Sequence, residues 1–170
     1  MRVSSLAAGL GGLKAPVDLQ CPMDRYFTHY WDDRTWEQYR ANHEGLSLDR
    51  VMGNQFFKKG VAIGDMVFVV HVRTGQMYLA GRMEVGERHR EEGESWVEVL
   101  TAEEGSGTAL SFRRKVPLDI VKDLRFRGGD IARPLLFKSN NRLDSQTLRG
   151  VRELTPASAA LLDTLLDAGS

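Results

Sequence analysis

The chain has 170 residues, 42% apolar and 27% charged, the composition of an ordinary globular domain. No apolar run approaches the ~18 residues of a membrane-spanning helix, and the single cysteine, Cys21, excludes an internal disulfide and a Cys-rich zinc module. That cysteine usage implies a reducing, cytoplasmic compartment. The net charge of zero, 23 Lys and Arg against 23 Asp and Glu, taken alone argues against a polyanionic partner.

Residues 1–22 read as an appendage. Leu6 to Leu13 form a short Gly-rich apolar run after Arg2, without the cleavage site of a signal peptide. A flexible extension fits, or an early start with Met23 as the true one, and the folded domain runs over 23–170. Tyr26, Thr28 and Tyr30 alternate with Phe27, His29 and Trp31, which marks Arg25 to Trp31 as a strand. Asp32-Asp33 stops it. Thr35 and Gln38 make a capping-box pattern before a short helix with Trp36, Tyr39 and His43 on one face. Gly53 and Gly60 bracket an ambiguous segment containing Asn54, Gln55, Phe56 and Phe57. Gly64-Asp65 is a turn, with Asp65 a turn residue rather than a catalytic acid. Met66 to Val72 is a continuous β-branched run, a buried strand, and Thr74-Gly75 turns it into a second strand over Gln76 to Val85. Gly81 inside that strand marks a bulge or a close backbone approach.

Glu87 to Glu94 is a polar loop, and Ser95 to Thr101 a strand whose Trp96 belongs to the core. Gly105-Ser106-Gly107 turns into a strand over Thr108 to Val116, ended by Pro117. Leu118 to Phe126 is a short helix or an irregular crossing segment. Arg127 to Arg133 is a Gly-containing loop, Pro134 to Lys138 a last short strand, and Ser139 to Ser145 a polar loop. Thr155 caps a final helix with Pro156 at its first position and Ala157, Leu161, Leu162 and Leu165 on one face. About six strands without alternating helices favour an α+β, mostly antiparallel small barrel with two or three peripheral helices over a doubly wound parallel sheet.

Charge is segregated along this chain. Between Glu84 and Glu104 eight acids face only Arg88 and Arg90. Between Leu110 and Arg152 eleven bases, eight of them arginine, face Asp119, Asp123, Asp130 and Asp144. A basic third inside a neutral protein points to a polyanion, and arginine contacts phosphate bidentately and stacks on bases. The other reading is a set of unevenly charged solvated faces. No dinucleotide fingerprint, P-loop, zincin or nucleophile-elbow motif occurs. His29, His43, His71 and His89 lack metal-ligand spacing, and no carboxylates converge by spacing, so no cofactor, metal or catalytic residue is assigned.

The order of parts resembles the EVE domains of the PUA-like superfamily, to which YTH domains also belong. The resemblance covers roughly Asp24 to Ala168. It rests on Tyr30-Trp31, the following Trp36, Gly53-Asn54-Gln55-Phe56-Phe57-Lys58-Lys59, the strand Ile63-Gly64-Asp65-Met66-Val67-Phe68-Val69-Val70-His71, and Leu79-Ala80-Gly81-Arg82-Met83-Glu84-Val85. The family's N-x-Q-A-R segment is replaced by adjacent Asn54 and Gln55, and His71 or Val70 stands where many members carry tyrosine.

The resemblance implies a five- to six-stranded pseudo-barrel whose one pocket takes a flipped, modified base, held by stacking and edge hydrogen bonds. Tyr30 and Trp31 occupy opposite strand faces, so only one can enter such a pocket, and Trp31 is the better stacking wall. Trp36, Asn54, Gln55, His71 and Ser139 complete the candidate pocket. Each has a plainer reading, as core tryptophan, loop-capping amide, structural histidine or solvated turn. Arg113, Lys115, Arg125, Arg127, Lys138, Arg142 and Arg149 are the candidate phosphate contacts. The expectation is a non-enzymatic reader of modified cytosine or adenine in DNA or RNA, working with a partner nuclease and no membrane. A small ASCH-type enzyme acting on RNA or an amide, and a protein-binding adaptor, are the alternatives.

Overall fold

Val67 and Val69 pack into one apolar cluster, while Phe68, Val70 and Val72 from the same strand pack into another. This strand is buried on both faces, which is why its sequence is a continuous apolar run rather than an alternation. The computed structural model describes residues 24–93 and 97–169. The proposed extension over 1–22, Cys21, Met23 and Trp96 lie outside them.

In chain order the elements are β1 (Tyr26–Tyr30), α1 (Asp33–His43), β2 (Arg50–Gly53), β3 (Met66–Arg73), β4 (Gln76–Glu91), β5 (Val97–Ala102), α2 (Leu118–Asp123), β6 (Arg125–Gly128), β7 (Ile131–Pro134), β8 (Phe137–Lys138), β9 (Arg142–Leu143), β10 (Val151–Leu154) and α3 (Pro156–Ala168). Eight strands form one sheet in the order β2-β5-β4-β3-β1-β10-β6-β7, and β8 and β9 form a separate two-stranded ribbon. Among the described residues, only the β1–β3 pair is parallel. α1 and β2 supply the long crossover that a parallel pair requires.

The fold is α+β and mostly antiparallel, as expected, but it has more strands and the expected closure is not made. The sheet is open, with β2 and β7 at its two edges. The segment over 108–116 falls short of a strand. It reaches β4 and the chain near Leu48 through isolated bridges at Ser47–Ala109 and Tyr78–Lys115. Separate backbone bonds add to these, such as Leu48 N–H to the Thr108 carbonyl at 2.9 Å and Val116 N–H to the Met77 carbonyl at 2.9 Å.

β4 runs through the polar stretch expected to be a loop, because Glu87 to Glu91 pair in register with β5. The Gly-containing loop over 127–133 is the β6–β7 hairpin. Gly81 is where the β3–β4 register shifts, between Val69 and Val70. A Cβ there would meet Thr108 Oγ1 at 2.9 Å, so glycine admits the 108–110 segment against β4.

α1 is capped by Asp32, whose Oδ1 accepts from Thr35 N–H at 2.8 Å. The Asp32-Asp33 stop is thus also the helix start, one cap earlier than the Thr35 pattern indicated. α3 is capped by Thr155 with Pro156 at its start, as expected. Its buried face is Ser158, Ala159, Leu162 and Leu166, while Leu161 and Leu165 are only partly buried. Asp65 holds its turn by accepting from Ala62 N–H at 2.9 Å and Arg25 N–H at 3.2 Å.

Candidate functional site

β1 and β3 run in the same direction, so the end of β1 beyond Tyr30 and the end of β3 at Arg73 lie at one end of the sheet. Antiparallel β10 brings Arg149 and Gly150 there, with Tyr30 N–H bonded to the Gly150 carbonyl at 3.0 Å. A cleft of about 480 Å³ opens at this end, bordered by His29, Tyr30, Trp31, Asp32, Thr35, Met52, Asn54, Gln55, Arg149 and Gly150. Its size falls within the ~300–1,000 Å³ of small-ligand sites. An adjoining cleft of about 580 Å³ shares Trp31, Thr35 and Met52 and adds Tyr39, His43 and Arg50.

Four of the seven candidate pocket residues meet at this cleft. Tyr30 and Trp31 both border it despite their opposite faces, because the cleft lies over the strand's end, where Trp31 has already left β1. Burial raises the Tyr30 phenol above its usual range, so it remains a neutral donor. Asn54 and Gln55 follow β2 and are exposed, and neither carboxamide has a hydrogen bond among the described residues. Their segment is pinned by fully buried Phe56 and by Phe57 N–H donating to Glu98 Oε1 at 2.9 Å. Gly150 has φ +77°, and a Cβ on it would lie 2.6 Å from Gln55 Oε1. Glycine is favoured at this wall by the left-handed backbone, while the exposed Gln55 side chain can move aside for a Cβ.

The Trp31 ring itself is only 2% exposed. It stacks on Tyr39 with centroids 4.2 Å apart, so its broad face belongs to the core. Trp36 lies on the other flank of α1 and borders a different cleft, of about 430 Å³, with Arg40, Arg73, Tyr78, Phe112 and Arg113. His71 is fully buried beneath Trp36, with ring centroids 4.6 Å apart. Its Nδ1 is 2.8 Å from the Trp31 carbonyl, which can only accept, so Nδ1 carries the proton. Its Nε2 comes within 3.3 Å of Asp33 Oδ1 but makes no hydrogen bond there. Burial lowers its pKa, against the opposing pull of the Trp31 carbonyl and Asp33. His71 is thus a neutral histidine tying β3 to the end of β1. Ser139 is exposed beside Lys138, in a turn whose Asn140 and Asn141 have φ of 63° and 59°, away from the cleft.

One residue that the sequence reading passed over borders the cleft. His29 is 7% exposed, its ring 4.8 Å from that of Phe56, and neither ring nitrogen has a hydrogen-bond partner. Burial lowers its pKa from 6.5 to about 4, against the opposing pull of a hydrogen-bonding approach to the Met52 backbone, so the ring is neutral at pH 7. The signal was available in the sequence: strand alternation places His29 in one row with Phe27 and Trp31.

The candidate phosphate contacts divide. The β3–β4 turn carries the β8–β9 ribbon through Leu143 N–H to the Gly75 carbonyl at 3.0 Å, and Lys115 bridges Tyr78 near the start of β4. Arg113, Lys115, Lys138 and Arg142 are thereby placed at the same end of the sheet as Arg149. All five are exposed and make no ion pair or side-chain hydrogen bond among the described residues. The acids at that end include Asp32, Asp33, Glu37, Glu44 and Asp144; Glu37 is occupied by Arg40 and Arg73, Glu44 accepts from Phe112 N–H in the cleft that Arg113 borders, and Asp144 accepts from Gln146 N–H. Arg125 sits at the opposite end, donating to the Lys122 and Leu124 carbonyls, and Arg127 pairs with Glu153 at 3.7 Å. No group of three or more His, Cys, Asp or Glu is placed to hold a metal, and no helix is long and apolar enough to cross a membrane, among the described residues.

Models of known protein families and curated protein sequences were both compared with this chain, and none matches it.

Proposed function

We propose that this protein binds nucleic acid and takes one unstacked base into the cleft at the end of β1. The supporting observation is a coincidence of place. The cleft that gathers Tyr30, Asn54, Gln55 and Arg149 opens at the sheet end that also carries Arg113, Lys115, Lys138 and Arg142, none of which forms an ion pair among the described residues. Exposed unpaired cations track phosphates, while carboxamides at a cleft mouth pair with base edges. A base leaving its stack loses a few kcal/mol, least when it is damaged or poorly paired, and the cleft must return that energy. The order of parts resembles that of the EVE domains, although the Asn54-Gln55 segment departs from their pattern, and that order favours a modified base, cytosine or adenine, as the occupant. Catalysis is not part of this proposal, since the buried acids and histidines are engaged in turns and the core or stand alone.

The test is fluorescence anisotropy at two salt concentrations. The probes are matched duplexes carrying cytosine, 5-methylcytosine, 5-hydroxymethylcytosine or N6-methyladenine, and one single-stranded RNA. A tenfold preference for one modified probe, about 1.4 kcal/mol, supports the proposal. Equal, salt-sensitive binding to all reduces it to a basic surface, and no binding overturns it.

Arg149→Ala is expected to weaken every probe alike and to lower the salt slope by about 1, the signature of one lost phosphate contact. Arg127→Ala, already paired with Glu153, is expected to leave both unchanged. Equal slopes for the wild type and Arg149→Ala would remove Arg149 from the interface.

A further inference from the structure

Lys138 and Arg142 stand directly opposite each other across the β8–β9 ribbon. Residues opposite one another in a ladder project from the same face, and both of these border one small cleft. Like charges so placed repel. Neither is relieved by an acid, since neither makes an ion pair or side-chain hydrogen bond among the described residues. Asp144, close by in the chain, does not border the cleft, and its Oδ1 accepts from Gln146 N–H at 3.0 Å.

A two-stranded ribbon is marginal by itself, and this one is fastened from outside. Leu143 N–H donates to the Gly75 carbonyl at 3.0 Å, Asp144 N–H donates to the Leu136 carbonyl at 3.0 Å, and the Leu143 side chain is buried. Gly75 has φ +77°, and a Cβ on it would lie 2.7 Å from Arg142 Cβ, so glycine lets Arg142 seat against the β3–β4 turn. The fold thus clamps two unpaired cations onto one cleft.

We propose that this cleft, of about 200 Å³, is a site for a single phosphate group that Lys138 and Arg142 share. The volume lies below the ~300 Å³ at which small-molecule sites begin, which fits an anion rather than a nucleoside. Thr74 and Ser145 also border the cleft. The Thr74 hydroxyl is spent on the Arg73 carbonyl at 2.7 Å, while the Ser145 hydroxyl makes no hydrogen bond among the described residues and is free to donate. Phosphate oxygens accept from an ammonium, a guanidinium and a hydroxyl together, whereas the two oxygens of a carboxylate are taken up by the guanidinium fork alone. This goes beyond the base-binding proposal, which asks of these two cations only that they face a polyanion, and it does not depend on that proposal.

The phosphate comes either from a nucleic-acid backbone or from free phosphate, and two arms of one experiment separate these sources. In the first, inorganic phosphate replaces chloride at matched ionic strength while backbone 1H–15N shifts are followed. Saturable shifts centred on Gly75, Arg142, Leu143 and Ser145 are expected, weakened about tenfold or more in the double variant Lys138→Gln/Arg142→Gln. That variant is expected to melt at or above the wild-type temperature without ligand, because it relieves a repulsion. In the second arm the unmodified cytosine duplex is the probe. Two cations on one phosphate act as a unit, so the double variant is expected to lower the salt slope by about 1 rather than about 2, and to lose less affinity than the two single variants summed.

Shifts at these residues with phosphate support the site whether or not the duplex binds, and a duplex that fails to bind then overturns the base-binding proposal alone. Shifts there with the duplex only, and a slope change of about 1, support the site with the backbone as its source. Shifts with neither probe, shifts that chloride reproduces, or a slope change of about 2 with additive losses overturn it.

Discussion

Trp31→Ala is expected to lower stability by about 3–5 kcal/mol, the usual cost of truncating a core tryptophan. That is a large share of the ~5–15 kcal/mol that holds a domain folded. The reason is the position of the ring: it is 2% exposed, stacks on Tyr39, and faces Phe112 with centroids 6.3 Å apart. Its carbonyl also receives His71 Nδ1 at 2.8 Å, so a collapse here disturbs the β1–β3 seam. Urea denaturation checks it, with Trp31→Phe as the partner variant, expected to lose far less because it keeps a ring against Tyr39. A Trp31→Ala midpoint within error of the wild type would show that the ring is not structural. The expected loss also means that weaker binding by Trp31→Ala reports unfolding, which is why Arg149 is the better probe of the cleft.

Acidification is expected to cost almost as much. His29 titrates near 6.5 in the unfolded chain and at about 4 in the folded one. Between those values the unfolded chain takes up a proton that the fold refuses, so stability falls as pH falls. Above pH 6.5 the residue contributes no penalty, and below about pH 4 it contributes its full ~3 kcal/mol. His71, also lowered by burial, acts in the same direction. Asp32 and Glu37, held low by the Thr35 backbone N–H and by Arg73 and Arg40, lose their stabilising interactions further into acid. Urea midpoints at pH 7.5, 6.0 and 4.5 are expected to decline for the wild type and to decline less for His29→Leu. Parallel declines in the two proteins would place the acid sensitivity elsewhere.

The sequence was most legible where one physical signal dominates. β3 is apolar on both faces and ends in a turn residue pair, and Thr155-Pro156 starts α3 by capping and fixed φ alone. It was least legible where a partner decides. Val151–Leu154 carries two charged residues in four and gives no clear period, yet β10 is a central strand, since β1 and β6 flank it and bury Val151 and Leu154. Glu87 to Glu91 reads as a loop by composition and is a strand because β5 pairs with it. The alternation over 108–116 is real, but its hydrogen bonds are divided between β4 and the chain near Leu48, and no ladder forms. Of the residues singled out from the sequence, Tyr30, Trp31, Asn54 and Gln55 as pocket and Arg149 as phosphate contact border the cleft. That Trp31 shows its face to Tyr39, and that His29 has no partner, depend on α1 and β2 and could not be read from β1 alone.

β1 lies between β3 and β10, so a strand near the start of the folded region waits for one close to its end. A ribosome adding about 5–20 residues per second needs on the order of ten seconds to deliver β10 after β1 has emerged. Through that interval β3 can zip onto β1, but the other row of β1 amides and carbonyls stays open, in the middle of the future sheet rather than at a guarded rim. A nascent chain halted before Arg149 carries that open row permanently, together with a cleft lacking its Arg149–Gly150 wall. Such a fragment invites a strand from a second copy, so premature termination yields an aggregating species rather than a smaller folded one, and the burden falls on the chaperones that attend synthesis.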